Sequence, residues 1–117
     1  SSTYYLPRIV GMKRAKELML TNRLFSAKEA HDMGLVDLVV HSNEELTEAL
    51  NKQAEIFSKG PKNAYKSVKK LLSESFNNGL ESQMETESIH ISNNAESKDG
   101  IEGLTAFSEK RKPNFNE

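Results

Sequence analysis

Three histidines, many serines and several paired carboxylates are the residues in this sequence that could do chemistry, and their spacing limits what each can do. His31, His41 and His90 stand in unrelated segments. None has a second ligand at metal spacing, and no H-E-x-x-H pattern is present, so no metal site is expected. Glu44–Glu45 and Glu85–Glu87 are carboxylate pairs, but both fall on polar faces of the helices expected around them. A general acid needs burial or a charged neighbour to bring its pKa toward neutrality, and a solvated face supplies neither. No serine sits in a G-x-S-x-G elbow, and the glycines are too scattered for a phosphate loop. Lys62, Lys66, Lys69 and Lys70 make one basic helix side. With no interleaved aromatics and no basic net charge, that side reads as a solvated face and not as a nucleic-acid surface. The residues taken alone name no catalytic group.

The elements that would position these side chains are constrained first by composition. The chain has 117 residues, room for one domain with a modest core. Sixteen basic residues against seventeen acidic ones give a net charge of -1, so no global field favours nucleic acid or an anionic membrane. Charged residues are 28% and apolar ones 36%, which suits amphipathic helices better than a deeply buried sheet. Cysteine is absent, which excludes disulfides, thiol catalysis and cysteine metal sites and fits a reducing compartment. No apolar run approaches the roughly 20 residues of a membrane span. "SSTYYLPRIV" lacks the basic and apolar regions of a secretory signal.

The periodicities predict a mainly α fold with one short strand. "SSTYYLPRIVG" reads as a short helix ending at Gly11. Met12, Ala15, Leu18 and Met19 form one stripe of a second helix. Ser26 with Glu29 is a capping-box pattern, and Gly34 suits a left-handed helix stop. "LVDLVV" is apolar and β-branched, a predicted strand. Ser42 with Glu45 repeats the capping box before a stripe of Leu46, Ala49, Leu50, Ala54 and Phe57. Pro61 opens a further helix, whose buried face is marked by Ala64, Tyr65, Val68, Leu71, Leu72 and Phe76. Another runs from about Leu80 to Ala95. Ser97 caps a last one holding Ile101, Leu104 and Phe107 and followed by Lys110, Arg111 and Lys112, cations near the negative end of its dipole. Two pieces of different character result: residues 1–41, mixed, and residues 42–117, all helical.

"YYLPRIVGMKRAKELMLTNRLFSAKEAHDMGLVDLVV" resembles the crotonase family, the enoyl-CoA hydratases and isomerases. The family pattern there is L-P-R, V-G, a leucine-rich helix end, "SAxEAxxxGLV" and a strand. "SKDGIEGLTAFSEKRKPNF" is similar to the family's closing run. The resemblance covers essentially the whole chain. It implies the C-terminal portion of a crotonase-like fold: residues 1–41 would end the core, and residues 42–117 would be the helical oligomerisation region of a trimer-based homo-oligomer. The implied reaction is hydration of an enoyl-CoA thioester or migration of its double bond. The oxyanion-hole donors and the proton-moving carboxylates would lie upstream of Ser1, which leaves no catalytic residue in this chain. The isolated chain is therefore expected to be inactive, and its part is the acyl-pocket wall and the oligomer contacts.

The same resemblance implies a coenzyme A thioester as substrate and no other cofactor. Lys110, in "FSEKRK", matches a lysine that in some members reaches the CoA phosphates of a neighbouring subunit; the helix-end cation stands beside that role. Tyr4–Tyr5 stand where many hydratases carry Gln-Arg, closer to isomerase-type relatives. Ile91 and Ala95 stand where many members carry phenylalanine, so no aromatic contact to CoA from that helix is implied. The expected location is the cytoplasm, or an organelle matrix in a eukaryote. The competing class is a free-standing helical interaction module.

Overall fold

A computed structural model describes residues 1–115 and contains seven helices among them. They are α1 (Ser2–Val10), α2 (Met12–Thr21), α3 (Ala27–Asp32), α4 (Asn43–Ser58), α5 (Lys62–Glu74), α6 (Leu80–Ala95) and α7 (Lys98–Ser108). The chain divides into two compact units, residues 1–49 and the residues from 50 onward.

In the first unit α1 packs on α2. Gly11 joins them at φ 81°, a backbone that L side chains rarely adopt. Tyr4 and Tyr5 meet edge to face at 5.1 Å, and the Arg8 guanidinium lies 3.7 Å over the Tyr4 ring. Ala15, Leu18, Ala30 and Met33 are buried. The predicted stripe of α2 is thus half realised: Ala15 and Leu18 are covered, while Met12 and Met19 stay exposed. Ser26 caps α3 by accepting from the Glu29 N–H at 3.1 Å. The Glu29 carboxylate does not close the box, because it pairs with Arg23. At the other end Gly34 (φ 75°) donates to His31 O at 2.8 Å and Leu35 to Ala30 O at 2.9 Å, the two bonds of a Schellman stop.

The predicted strand at "LVDLVV" is not formed among the described residues. Residues 36–40 are non-helical and unladdered, with Val36 and Leu38 exposed. A strand exists only by exchanging hydrogen bonds with a neighbour, and no other segment of the chain has strand character to provide one. The fold is mainly α.

In the second unit α5 packs on α6, and α6 on α7. Ser42, in the first unit, and Ser97 precede their helices as the sequence expects, with Ser42 accepting from Glu45 N and Ser97 from Gly100 N, each at 3.1 Å. The Glu45 carboxylate reaches back to His41 N at 2.8 Å, one residue earlier than a strict box. Pro61 is the N-cap of α5. Phe57 and Tyr65 meet edge to face at 5.8 Å across that turn, and a Cβ on Gly60 would overlap the Tyr65 ring. The α5–α6 hairpin is held by Gln83, whose amide donates to Leu71 O at 3.1 Å and accepts from Asn78 at 2.9 Å. Gly100 lies so close to the end of α6 that a Cβ would stand 2.7 Å from Ala95 O. Phe76, expected on the buried face of α5, falls beyond its end and is exposed.

The apolar stripes form, but most are not covered. Ala106 is the one buried apolar side chain among the described residues of this unit, whereas Leu50 is 60% exposed, Leu72 63%, Leu80 76% and Phe107 85%. Isolated apolar residues on a surface need no explanation, but whole helix faces of them mark surfaces built to be covered.

Candidate functional site

The site that the sequence singles out lies where α7 stops. Residues 106–111 form a Schellman turn: Arg111 N donates to Ala106 O at 3.0 Å, and Lys110 N to Phe107 O at 3.2 Å. The left-handed position in that turn belongs to Lys110, at φ 55°. Glycine is the usual occupant, because a Cβ there crowds the backbone. Lys110 is exposed, and its ammonium forms no ion pair among the described residues.

The adjacent cation behaves in the opposite way. Arg111 grips Glu102 with both nitrogens of its fork, at 2.6 and 2.9 Å, and reaches Glu109 through Nε at 2.6 Å. Glu102 also accepts from Asn114 N at 2.7 Å, so one carboxylate ties the chain after α7 back onto the helix. The Arg111 hydrogen bonds, and then the Asn114 N–H, pull the Glu102 pKa down to about 2. Its two carboxylates, Glu102 before Glu109, raise that of Arg111. Further along, Phe115 folds over Gly103, 3.8 Å from where a Cβ would stand. Because Arg111 takes both nearby carboxylates, the exposed Lys110 ammonium has no carboxylate partner among the described residues. Such a group can meet a phosphate as a point charge.

The remaining candidates stay apart. His31 is on α3, His41 precedes α4 and His90 is on α6. No group of three or more His, Cys, Asp or Glu able to hold a metal occurs among the described residues. Glu44, Glu45, Glu85 and Glu87 are exposed. Every carboxylate whose pKa is displaced moves downward: Glu17 and Glu29 through Arg23, Asp32 through Lys28, Glu44 through its own N–H and Ser42, Glu55 through Lys59, and Glu102. A general acid for neutral pH needs the opposite displacement.

Sequence reasoning missed two clusters. Arg23 joins α2 to α3, meeting Glu17 at 2.6 Å and Glu29 at 2.5 Å. Ser67, His90 and Asn94 join α5 to α6, with Ser67 Oγ 3.0 Å from His90 Nδ1 and 2.9 Å from Asn94 Nδ2. The first bridges helices through partners six residues away on each side, and the second joins residues 23 and 27 apart. Neither spacing belongs to a helix period. His90 itself carried no local signal of this contact.

Comparison with known proteins places this geometry in a family. The family model for enoyl-CoA hydratase/isomerase matches residues 1–117. The chain is 38% identical over 111 residues to "Probable enoyl-CoA hydratase 2, mitochondrial" of Arabidopsis thaliana, covering 95% of this chain and 36% of that protein. It is 37% identical over 113 residues to crotonyl-CoA hydratase of Syntrophomonas wolfei, covering 97% and 43%. The crystal structure of enoyl-CoA hydratase from Bacillus anthracis superposes with a TM-score of 0.81 at 38% identity, covering 95% of this chain and 43% of that one. The chain spans between about a third and under half the length of these relatives.

Proposed function

Because the chain belongs to the enoyl-CoA hydratase/isomerase family, we propose that it is the C-terminal portion of an acyl-CoA enzyme that hydrates or isomerises enoyl thioesters. Its part is to wall the acyl pocket and to make the contacts of a trimer-based homo-oligomer. The catalytic acids and the oxyanion-hole donors come from outside residues 1–117. The observation that carries this reading is the pairing of two features. The apolar faces at Leu50, Leu72, Leu80 and Phe107 lie open, and the displaced carboxylates are all shifted away from acid–base duty.

The mechanism assigns little chemistry to these residues. The family reaction develops enolate charge on the thioester oxygen, which preorganised backbone donors stabilise. Lys110 acts at the other end of the substrate, contacting a CoA phosphate across a subunit boundary. Held in a Schellman turn whose next residue is clamped by Arg111–Glu102, it starts from a fixed backbone and loses little freedom on binding. No cofactor beyond the CoA thioester is used.

Substituting this chain for the matching 43% of the Bacillus anthracis hydratase tests the reading. The chimera should assemble as an oligomer and hydrate crotonyl-CoA, while the 117-residue chain alone should not turn over crotonyl-CoA or a 3-enoyl-CoA. A folded but monomeric and inert chimera, or activity of the chain alone that survives repurification, overturns it.

A further inference from the structure

Between α5 and α6, closed at one end by the start of α7, lies a groove of about 370 Å³ that the acyl-CoA reading does not use. Its lining is Asn63, Lys66, Ser67 and Lys70 from α5, His90, Asn93 and Asn94 from α6, and Ser97. Every one of these side chains is polar, two are cationic, and no carboxylate is among them. On α5 the four residues recur at i, i+3, i+4 and i+7, so they share one face. Lys66 forms no ion pair among the described residues, and Lys70 has only Glu74 at 3.9 Å, the outer limit of pairing.

The hydrogen bonds fix what the groove offers. Asn94 spends both amide hydrogens, on Ser67 Oγ (2.9 Å) and His90 O (2.8 Å). Ser67 Oγ already accepts from Asn94, and its remaining neighbour is His90 Nδ1 at 3.0 Å. The Ser67 oxygen keeps a second lone pair, so the pair closes in either direction; the arrangement in which the Ser67 hydroxyl donates to Nδ1 puts the ring proton on Nε2. Asn94 and Ser67 form the frame. In that tautomer the groove offers an imidazole N–H and two ammonium groups, of which Lys66 has no carboxylate partner among the described residues and Lys70 has Glu74 at 3.9 Å. A volume near the low end of ligand pockets suits a small group.

We propose that this groove binds a phosphate-monoester dianion, with Lys66 and Lys70 as charge partners and His90 Nε2–H as an oriented donor. Inorganic phosphate and a nucleoside monophosphate share this chemistry. The basic side of α5, which the sequence reads as a solvated face, then has two distinct parts: Lys66 and Lys70 on the groove, Lys62 and Lys69 outside it.

The test titrates the full chain at fixed pH and ionic strength with inorganic phosphate and, separately, with AMP, following the His90 ring signals by NMR. A saturable His90 shift is expected, with a dissociation constant of about 1–10 mM, as suits a few partly exposed charge contacts. Lys66→Ala with Lys70→Ala should weaken binding about tenfold, and Lys66→Arg with Lys70→Arg should retain it. Lys62→Ala with Lys69→Ala removes the same charge and should leave binding within about twofold, since long-range charge is screened. All four lysines are exposed, so folding is not at stake, and circular dichroism checks it. Tighter AMP than phosphate binding supports the site and identifies a nucleotide source; equal binding supports it and identifies the phosphoryl group alone. The proposal fails if His90 shows no saturable shift, or if the two alanine pairs weaken binding equally.

Discussion

Lys110 occupies a backbone conformation that favours glycine, and this separates its two possible roles experimentally. At φ 55° a residue with a Cβ costs about 1–2 kcal/mol, while glycine costs about 0.5–1 kcal/mol more than alanine in lost chain entropy. Lys110→Gly and Lys110→Ala both remove the ammonium, so any effect of charge is common to them. They differ in strain, and the glycine variant should be the more stable by about 0.5–1 kcal/mol, a few degrees in Tm. In an acyl-CoA hydratase carrying this chain, both variants should raise KM for crotonyl-CoA equally, by about tenfold or less, as for a partly exposed charge pair. Their kcat should barely change, because a phosphate far from the thioester is bound alike in ground and transition states. The rise should shrink with added salt and disappear for a pantetheine thioester without the nucleotide. Steady-state kinetics beside thermal melts give the answer. If KM follows stability, so that the glycine variant behaves as wild type, or if both substrates suffer equally, Lys110 is a helix-end cation and the CoA contact is wrong.

Other consequences concern the elements that hold this end of the chain. Glu102→Gln should free the segment after α7, seen as faster amide exchange at Asn114, since the Arg111 fork and the Asn114 N–H share that carboxylate. Glu102 has its pKa lowered to about 2, so its contribution to stability is present above its ordinary carboxylate range and is lost as pH falls toward 2; acid melts of wild type and Glu102→Gln should converge there and diverge near neutrality. Ser97→Ala should cost about 1 kcal/mol by removing the cap that Gly100 N uses, read by denaturant melts. Gly100→Ala should cost more, about 1–3 kcal/mol, because the new methyl meets backbone that cannot rotate away.

How much of this was legible in the sequence follows from where each determinant lies. Helix ends whose signal is local were readable: Ser26, Gly34, Ser42 and Ser97 act on groups within a few residues, and α6 has the bounds the sequence predicts. Lys110 in a glycine position was not readable, because a lysine there announces nothing about φ. Determinants that join helices were invisible for a different reason. Arg23 with Glu17 and Glu29, Gln83 with Leu71 O, and His90 with Ser67 depend on how elements meet, and no single-helix period encodes that. The strand at "LVDLVV" is the instructive failure. Its residue types speak for a strand, yet propensity describes only how a segment fits a sheet, and residues 1–115 contain no sheet. The open faces of α4–α7 make the same point. Their periodicity predicts helices with buried stripes; the helices form, and the burial does not. Periodicity reports that a face is meant to be covered without saying by what. The proposed function reads strand and stripes alike as surfaces for partners outside this chain.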